Sequence, residues 1–276
     1  MVLTIIINVI NVLLSYYLVE FKEWSIRGVA WGTVVAQYIG LVIGLGVIFY
    51  NYRGALLNGW QIFNWKWSGF KDFFVINRDI FIRTLFLSTA FAFFNAQSAE
   101  MGTYVLAANV IFLQFLNWMS YGIDGFAFAT ESIVGKYLGG ENLVKLNQTL
   151  KRVFFWGFIV ALFYMLLYGF GGNHLFALFT DEYIPEAYKK EILLWTILTP
   201  LLAFWSYIWD GIFVGMTASA AMRNSMIVAF VFYMAAHFPL TYMFELRGML
   251  MALNLFLLGR AVFQFLLFRK YGWSLK

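Results

Sequence analysis

Eight long apolar runs dominate the chain, at 2–19, 28–50, 80–98, 103–134, 153–172, 192–214, 224–244 and 248–268. A helix rising 1.5 Å per residue needs about 20 residues to cross a hydrocarbon core of roughly 30 Å, and each run has about that many. The runs are apolar all round and do not alternate in polarity, so they point to helices and not to a β-barrel. The run at 103–134 is longer than a crossing requires, which implies tilt or ends outside the membrane. Charged residues are only 12% of the 276 residues, against about 25% in a soluble domain. That leaves too few charges to cover a water-facing surface and excludes a cytosolic enzyme, a secreted disulfide scaffold and a disordered tail. With no Cys and two His, thiolate and His-built metal sites are excluded as well. The expected fold class is an all-α polytopic membrane protein with eight transmembrane helices. The first run reads as a retained span, because no Lys or Arg precedes it and no small-residue cleavage pattern follows.

Charge sets the orientation. With Met1 inside and eight alternating spans, twelve Lys/Arg fall in inner segments and five in outer ones, while Arg83 and Arg260 lie within spans. The positive-inside rule then places both termini in the cytoplasm. Residues 60–77, WQIFNWKWSGFKDFFVIN, mix aromatics with Lys66, Lys71 and Asp72, as an in-plane amphipathic helix at the headgroups does. Residues 26–53 and 246–273 each begin with Arg-Gly, run through an apolar span and end in basic and tyrosine residues, at an offset of 220 (Arg27 to Arg247). Taken as an internal repeat, this makes spans three to eight a complete six-helix unit. Spans one and two are then the end of a first unit, roughly 170 residues of which precede this chain.

Ionisable groups inside a bilayer cost about 2.5–3.5 kcal/mol each and mark function by default. Asp124 and Asp210 share the pattern Ser-Tyr-x-x-Asp-Gly, at Ser120–Gly125 and Ser206–Gly211. Counting back from Lys136 and Arg223 places both acids roughly 18–20 Å from the inner charges, near the midplane. A desolvated carboxyl there holds a proton until a cation displaces it, which is the minimum chemistry of an antiporter. The bland alternative is a carboxylic acid bonded to a neighbouring helix. Asn95, Gln97, Asn109, Gln114, Asn117 and Asn254 are candidates for lining a cavity or, alternatively, for interhelical hydrogen bonds. Arg260 is expected to pair with Asp124 or Glu131, and Arg83, near the inner interface, is expected to snorkel. Pro200 and Pro239 are expected to kink their spans. No phosphate loop or nucleophilic triad is present. The basic loop 136–152 reads as lipid-facing, not as a nucleic-acid site.

Several stretches, in order, resemble the multidrug and toxic compound extrusion (MATE) family, most of all its DinF-like bacterial branch. They are Asn77–Thr84, Leu106–Asn109, Asp124–Ala127, Asp210–Gly215 and Met222–Met226. The resemblance implies twelve helices in two six-helix lobes, with this chain as helices five to twelve. Residues 1–52 are then the last two helices of the first lobe, 53–78 a cytoplasmic linker and 79–276 the complete second lobe. It further implies a secondary antiporter that exports amphipathic or cationic compounds by alternating access. H⁺ (or Na⁺) is the coupling ion and there is no other cofactor. Lipids and small substrates are the expected partners, and the expected state is a monomer. Asp210 matches the acid of the family's tenth helix. The partner Glu of Na⁺-coupled relatives falls near Leu87, where no Glu stands, which favours H⁺. The proton-carrying Asp of the family's first helix lies ahead of this chain. The expected ion- or substrate-linked residues are Asp210, Asp124, Asn109, Gln97, Asn95, Gln114 and Arg260. The alternatives are a flippase for a lipid-linked sugar or other amphipathic lipid, marked by several inward Arg, and a fragment that does not transport.

Overall fold

The computed structural model describes residues 2–59, 67–180 and 183–270, and the regular structure among them is helical. The elements are α1 (Val2–Glu20), α2 (Ser25–Gly59), α3 (Trp67–Glu100), α4 (Thr103–Gly139), α5 (Leu143–Phe179), α6 (Glu186–Gly215) and α7 (Ser219–Lys270). Among the described residues, seven helices are long and apolar enough to cross a membrane. The last two expected spans both fall inside α7, which has 52 residues. It is not one rod. Glu245 leaves the helical region at φ 49 and ψ −125, and a Cβ on Gly248 would meet the Leu240 carbonyl oxygen at 1.9 Å. The Tyr233 and Phe256 rings are 5.4 Å apart, whereas 23 residues of straight helix span about 35 Å. So α7 turns back on itself at Glu245 into two antiparallel arms, 219–244 and 246–270.

The long run at 103–134 is a single helix, α4, and its 37 residues are about 55 Å long. It exceeds a bilayer, as expected of a helix whose ends leave the membrane or that tilts. Residues 60–66 of the expected in-plane segment lie outside the described residues. From Trp67 onward that segment is the first part of α3. Pro200 and Pro239 both sit inside helices.

The chain divides into two compact units, Met1–Trp67 and Ser68–Lys276. In the first, α1 and α2 form an antiparallel hairpin along a stripe of small residues. A Cβ would meet Leu18 at 3.1 Å from Gly28, Ser15 Oγ at 2.4 Å from Gly32 and Ile7 at 2.3 Å from Gly40. Ala36, in the same stripe, is fully buried. Lipid is as apolar as Leu, so helices in a bilayer associate by close backbone approach and hydrogen bonds, and both are present here. The side-chain amide of Asn11 donates to Thr33 Oγ1 at 3.0 Å. The repeat offset reappears in backbone form. Ser25 (φ 46) and Glu245 (φ 49) are 220 residues apart, and each opens the returning helix of a hairpin three residues before its Arg-Gly glycine.

In the second unit α6 lies between α4, α5 and α7, and α4 also contacts α5. Its core is aromatic, with Phe94, Phe112, Phe115, Tyr168, Phe204, Phe213, Tyr233 and Phe256 fully buried. Single hydrogen bonds stitch neighbouring helices together inside this core. Asn109 donates to Ser98 (2.8 Å), Tyr168 donates to the Phe115 carbonyl (2.8 Å) and Thr199 donates to Asn254 (2.9 Å). Many aromatics on the outside are exposed, Phe170 and Tyr242 the most, as suits side chains whose solvent is lipid. The turn between α3 and α4 needs Gly102, whose φ of 116 is open only to glycine.

Candidate functional site

Asp210 is the centre of a buried charge cluster. Its Oδ2 accepts a hydrogen bond from the Arg83 guanidinium on α3 and a second from Arg260 on the returning arm of α7, the latter at 2.6 Å. Its Oδ1 accepts from the Gln264 amide at 2.6 Å. Arg260 and Gln264 are four residues apart and so share one helix face. The Arg260 side chain is 3% exposed, with Arg83 at 17% and Asp210 at 15%. The Arg260 guanidinium also lies over the Tyr207 and Phe256 rings, 5.8 and 6.0 Å from their centroids. A carboxyl that accepts three charged or amide donors is fixed in place.

Asp124 lines the same cavity, about 240 Å³ in volume, together with Arg83, Leu87, Glu131, Tyr207, Asp210 and Arg260. No hydrogen bond or ion pair holds its carboxyl among the described residues, and the side chain is half-buried. The cavity therefore sets three carboxylates, Asp124, Glu131 and Asp210, against two guanidinium groups. Asp210 is matched by both arginines and Asp124 is not. Leu87, where the resemblance expected a Glu in Na⁺-coupled relatives, is part of the wall.

Two sequence expectations are corrected. Arg260 bonds Asp210, not Asp124 or Glu131, because its face of α7 looks onto α6. Arg83 does not snorkel to the interface, since the Asp210 carboxylate draws its guanidinium inward. Asn95, Gln97, Asn109 and Gln114 line no part of the cavity. They flank the turn at Met101–Gly102, several helical turns from Asp124 and Arg83. Gln97 donates to Glu100 at 2.9 Å, Asn109 is committed to Ser98, Gln114 is exposed and Asn95 is half-buried. Gln264 went unread in the sequence, although an amide four residues after Arg260 in an apolar span was a legible signal. So did a second cluster. Asp79, 1% exposed, accepts from Arg223 at 2.5 Å, from Arg78 at 3.1 Å and from Ser219 at 3.3 Å, tying the start of α3 to the start of α7. At the other end of the unit, Glu191 on α6 accepts from Arg247 at 2.5 Å.

The chain matches the MatE family over residues 80–243 and belongs to it. The family is one of transporters, not enzymes. The chain is 31% identical over 241 residues to DNA damage-inducible protein F of Escherichia coli (strain K12), which covers 87% of this chain and 51% of that protein. It therefore spans about half the length of that curated relative. Among solved structures, the MATE transporter VcmN of Vibrio cholerae in its bent form superposes with a TM-score of 0.79 at 16% identity, over 99% of this chain and 61% of that one. A MOP superfamily transporter of Pyrococcus furiosus, described as having a binding pocket of reverse polarity, gives 0.81 at 17% identity over 99% and 62%. At these identities the likeness is one of fold. The chain is thus a DinF-like, multi-pass membrane protein of the MatE family.

Proposed function

We propose that the protein serves cation-coupled efflux of organic cations and other amphipathic compounds by alternating access, with H⁺ as the coupling ion. Eight crossings, both termini in the cytoplasm and a bacterial inner membrane complete the reading. The turn at Glu245 supports the eighth crossing, and the excess of inner Lys/Arg supports the orientation. Residues 79–276, within the second unit, are the complete lobe and residues 1–52 the end of the first; the expected linker at 53–78 is shorter than the sequence suggested, because α2 runs to Gly59 and α3 begins at Trp67.

One observation carries the proposal: the cavity holds a carboxyl, Asp124, that no arginine hydrogen-bonds or ion-pairs among the described residues. In a low-dielectric chamber an unpaired acid binds a proton or a positive guest, and either one excludes the other. Asp210 has the other task. Its ion pairs join α3, α6 and the returning arm of α7, so the helices around the chamber are held together by charge. The flippase alternative has its own support in the inward Arg83 and Arg260. Asp210 takes up one of their two charges, and the carboxyls of Asp124 and Glu131 in the same cavity balance the other, which leaves no net positive site for a lipid phosphate.

The test is efflux of a fluorescent organic cation from proteoliposomes under an imposed proton gradient. Efflux that follows the gradient and is abolished by Asp124→Asn supports the reading. Efflux unchanged in that variant removes Asp124 from the mechanism. A preparation that is folded but moves no cation at any gradient favours the fragment alternative.

A further inference from the structure

A second cavity, about 710 Å³, opens on the surface of the lobe between α5, α6 and the returning arm of α7. Its floor is aromatic. Phe154 lies 5.5 Å from Trp205 and 5.3 Å from Trp209, and Trp209 lies 6.0 Å from Phe265 and 5.0 Å from Phe268. Leu150, Leu258 and Val262 complete apolar walls. The polar lining is confined to Asn147 and Lys151, on the early turns of α5, and no carboxylate lines the groove. Arg269, in the last turn of α7, rests its guanidinium over the Phe265 ring at 5.6 Å. The groove is therefore apolar along its length and basic at one end. That end lies where α5 starts and α7 finishes, the side on which the Lys/Arg of the chain concentrate. Neither Lys151 nor Arg269 is engaged by a carboxylate among the described residues, and both are exposed.

We propose that this groove is a binding site for one anionic phospholipid, with an acyl chain on the Trp205–Trp209–Phe265 floor and the phosphate between Lys151 and Arg269. Charge complementarity selects the occupant. Basic pockets between membrane helices on the cytoplasmic side recognise acidic headgroups, and a cavity of this size falls in the range of small-ligand sites, about 300–1,000 Å³. A zwitterionic lipid fills the same floor but gains less from the two cations. The site is separate from the Asp124–Asp210 chamber, and occupancy does not depend on transport.

The purified protein is stripped of lipid in detergent and titrated with phosphatidylglycerol or with phosphatidylcholine of the same acyl composition, and bound lipid is counted by native mass spectrometry. One phosphatidylglycerol is expected to remain bound where phosphatidylcholine is lost. The variant Lys151→Ala/Arg269→Ala is expected to bind it about 25-fold more weakly, at roughly fivefold for each cation removed near a membrane surface. Val262→Trp, which fills the groove from its exposed rim, is expected to remove it altogether. Melting curves of both variants matching the parent show that the fold is intact. Equal retention of the two lipids, phosphatidylglycerol binding unchanged in Val262→Trp, or displacement by inorganic phosphate alone each overturns the assignment. A dimer signal abolished by Val262→Trp also overturns it and makes the groove an interface between copies.

Discussion

Ser120–Gly125 and Ser206–Gly211 carry the same pattern and are held by their surroundings in opposite ways. Their serines behave alike. Ser120 Oγ donates to the Asn117 carbonyl and Ser206 Oγ to the Ala203 carbonyl, both at 2.8 Å. After that the copies diverge. Tyr121 is 74% exposed, whereas Tyr207 lies against Arg260. Asp124 has no bonded partner among the described residues, and Asp210 has three. Gly125 has open space where a Cβ would go, but at Gly211 a Cβ would stand 2.3 Å from the Ala127 carbonyl oxygen. A local motif fixes the helix around it, and the facing helices decide whether its acid becomes a strut or remains available for chemistry. The second copy is jammed against α4 and clamped by α3 and α7. The first faces the cavity with its carboxyl unbonded among the described residues.

The comparison can be broken at each point where the copies differ. The largest effect is expected at the clamped acid. Asp210→Ala removes the carboxylate bonded to the buried guanidiniums of Arg83 and Arg260, and breaking such a pair costs about 3–5 kcal/mol. A fall in apparent melting temperature in detergent measures it, and a melt like the parent's would mean that the cluster is not structural. The glycines come next and differ in sign. Gly211→Ala drives a methyl into the α4 backbone and is expected to destabilise by about 1–3 kcal/mol. Gly125→Ala, in an open helical position, is expected to stabilise by up to about 1 kcal/mol. Parallel melts of the two variants decide the matter. Equal losses would mean that both copies are packed alike. Gln264→Ala removes one hydrogen bond to a charged group, expected to cost about 1.5–3 kcal/mol, and less than Asp210→Ala in the same assay. The smallest effect on stability belongs to Asp124→Asn, within about 0.5 kcal/mol of the parent, although its effect on exchange is expected to be complete.

The sequence was informative where one segment suffices to determine the answer. Apolar runs of about bilayer length marked each helix among the described residues, and the Arg-Gly at 247–248 marked the turn inside α7. Asp124 and Asp210 stood out because charge inside an apolar run is costly wherever it points, and the structure brings both to one cavity. Partner choice was not legible. Arg83 and Asp210 are 127 residues apart, and nothing in either segment distinguishes an arginine that reaches the interface from one drawn inward by an acid on another helix. The same holds for Asp79 and Arg223, each unremarkable among the inner charges until α3 and α7 are placed side by side. The amides at 95–114 were misjudged for a related reason. A polar residue in a span is equally compatible with lining a cavity and with bonding the next helix, and the α3–α4 turn places these on the far side of the lobe from the acids.

The central claim is that Asp124 holds the exchangeable proton while Asp210 stays ionised. Infrared difference spectroscopy of the purified protein, with and without a saturating organic cation, reads this directly. The parent is expected to lose a protonated-carboxyl band when the cation is added, and Asp124→Asn is expected to show no such change. A band that still disappears in Asp124→Asn, or a parent protein with no carboxyl band to lose, would contradict the account.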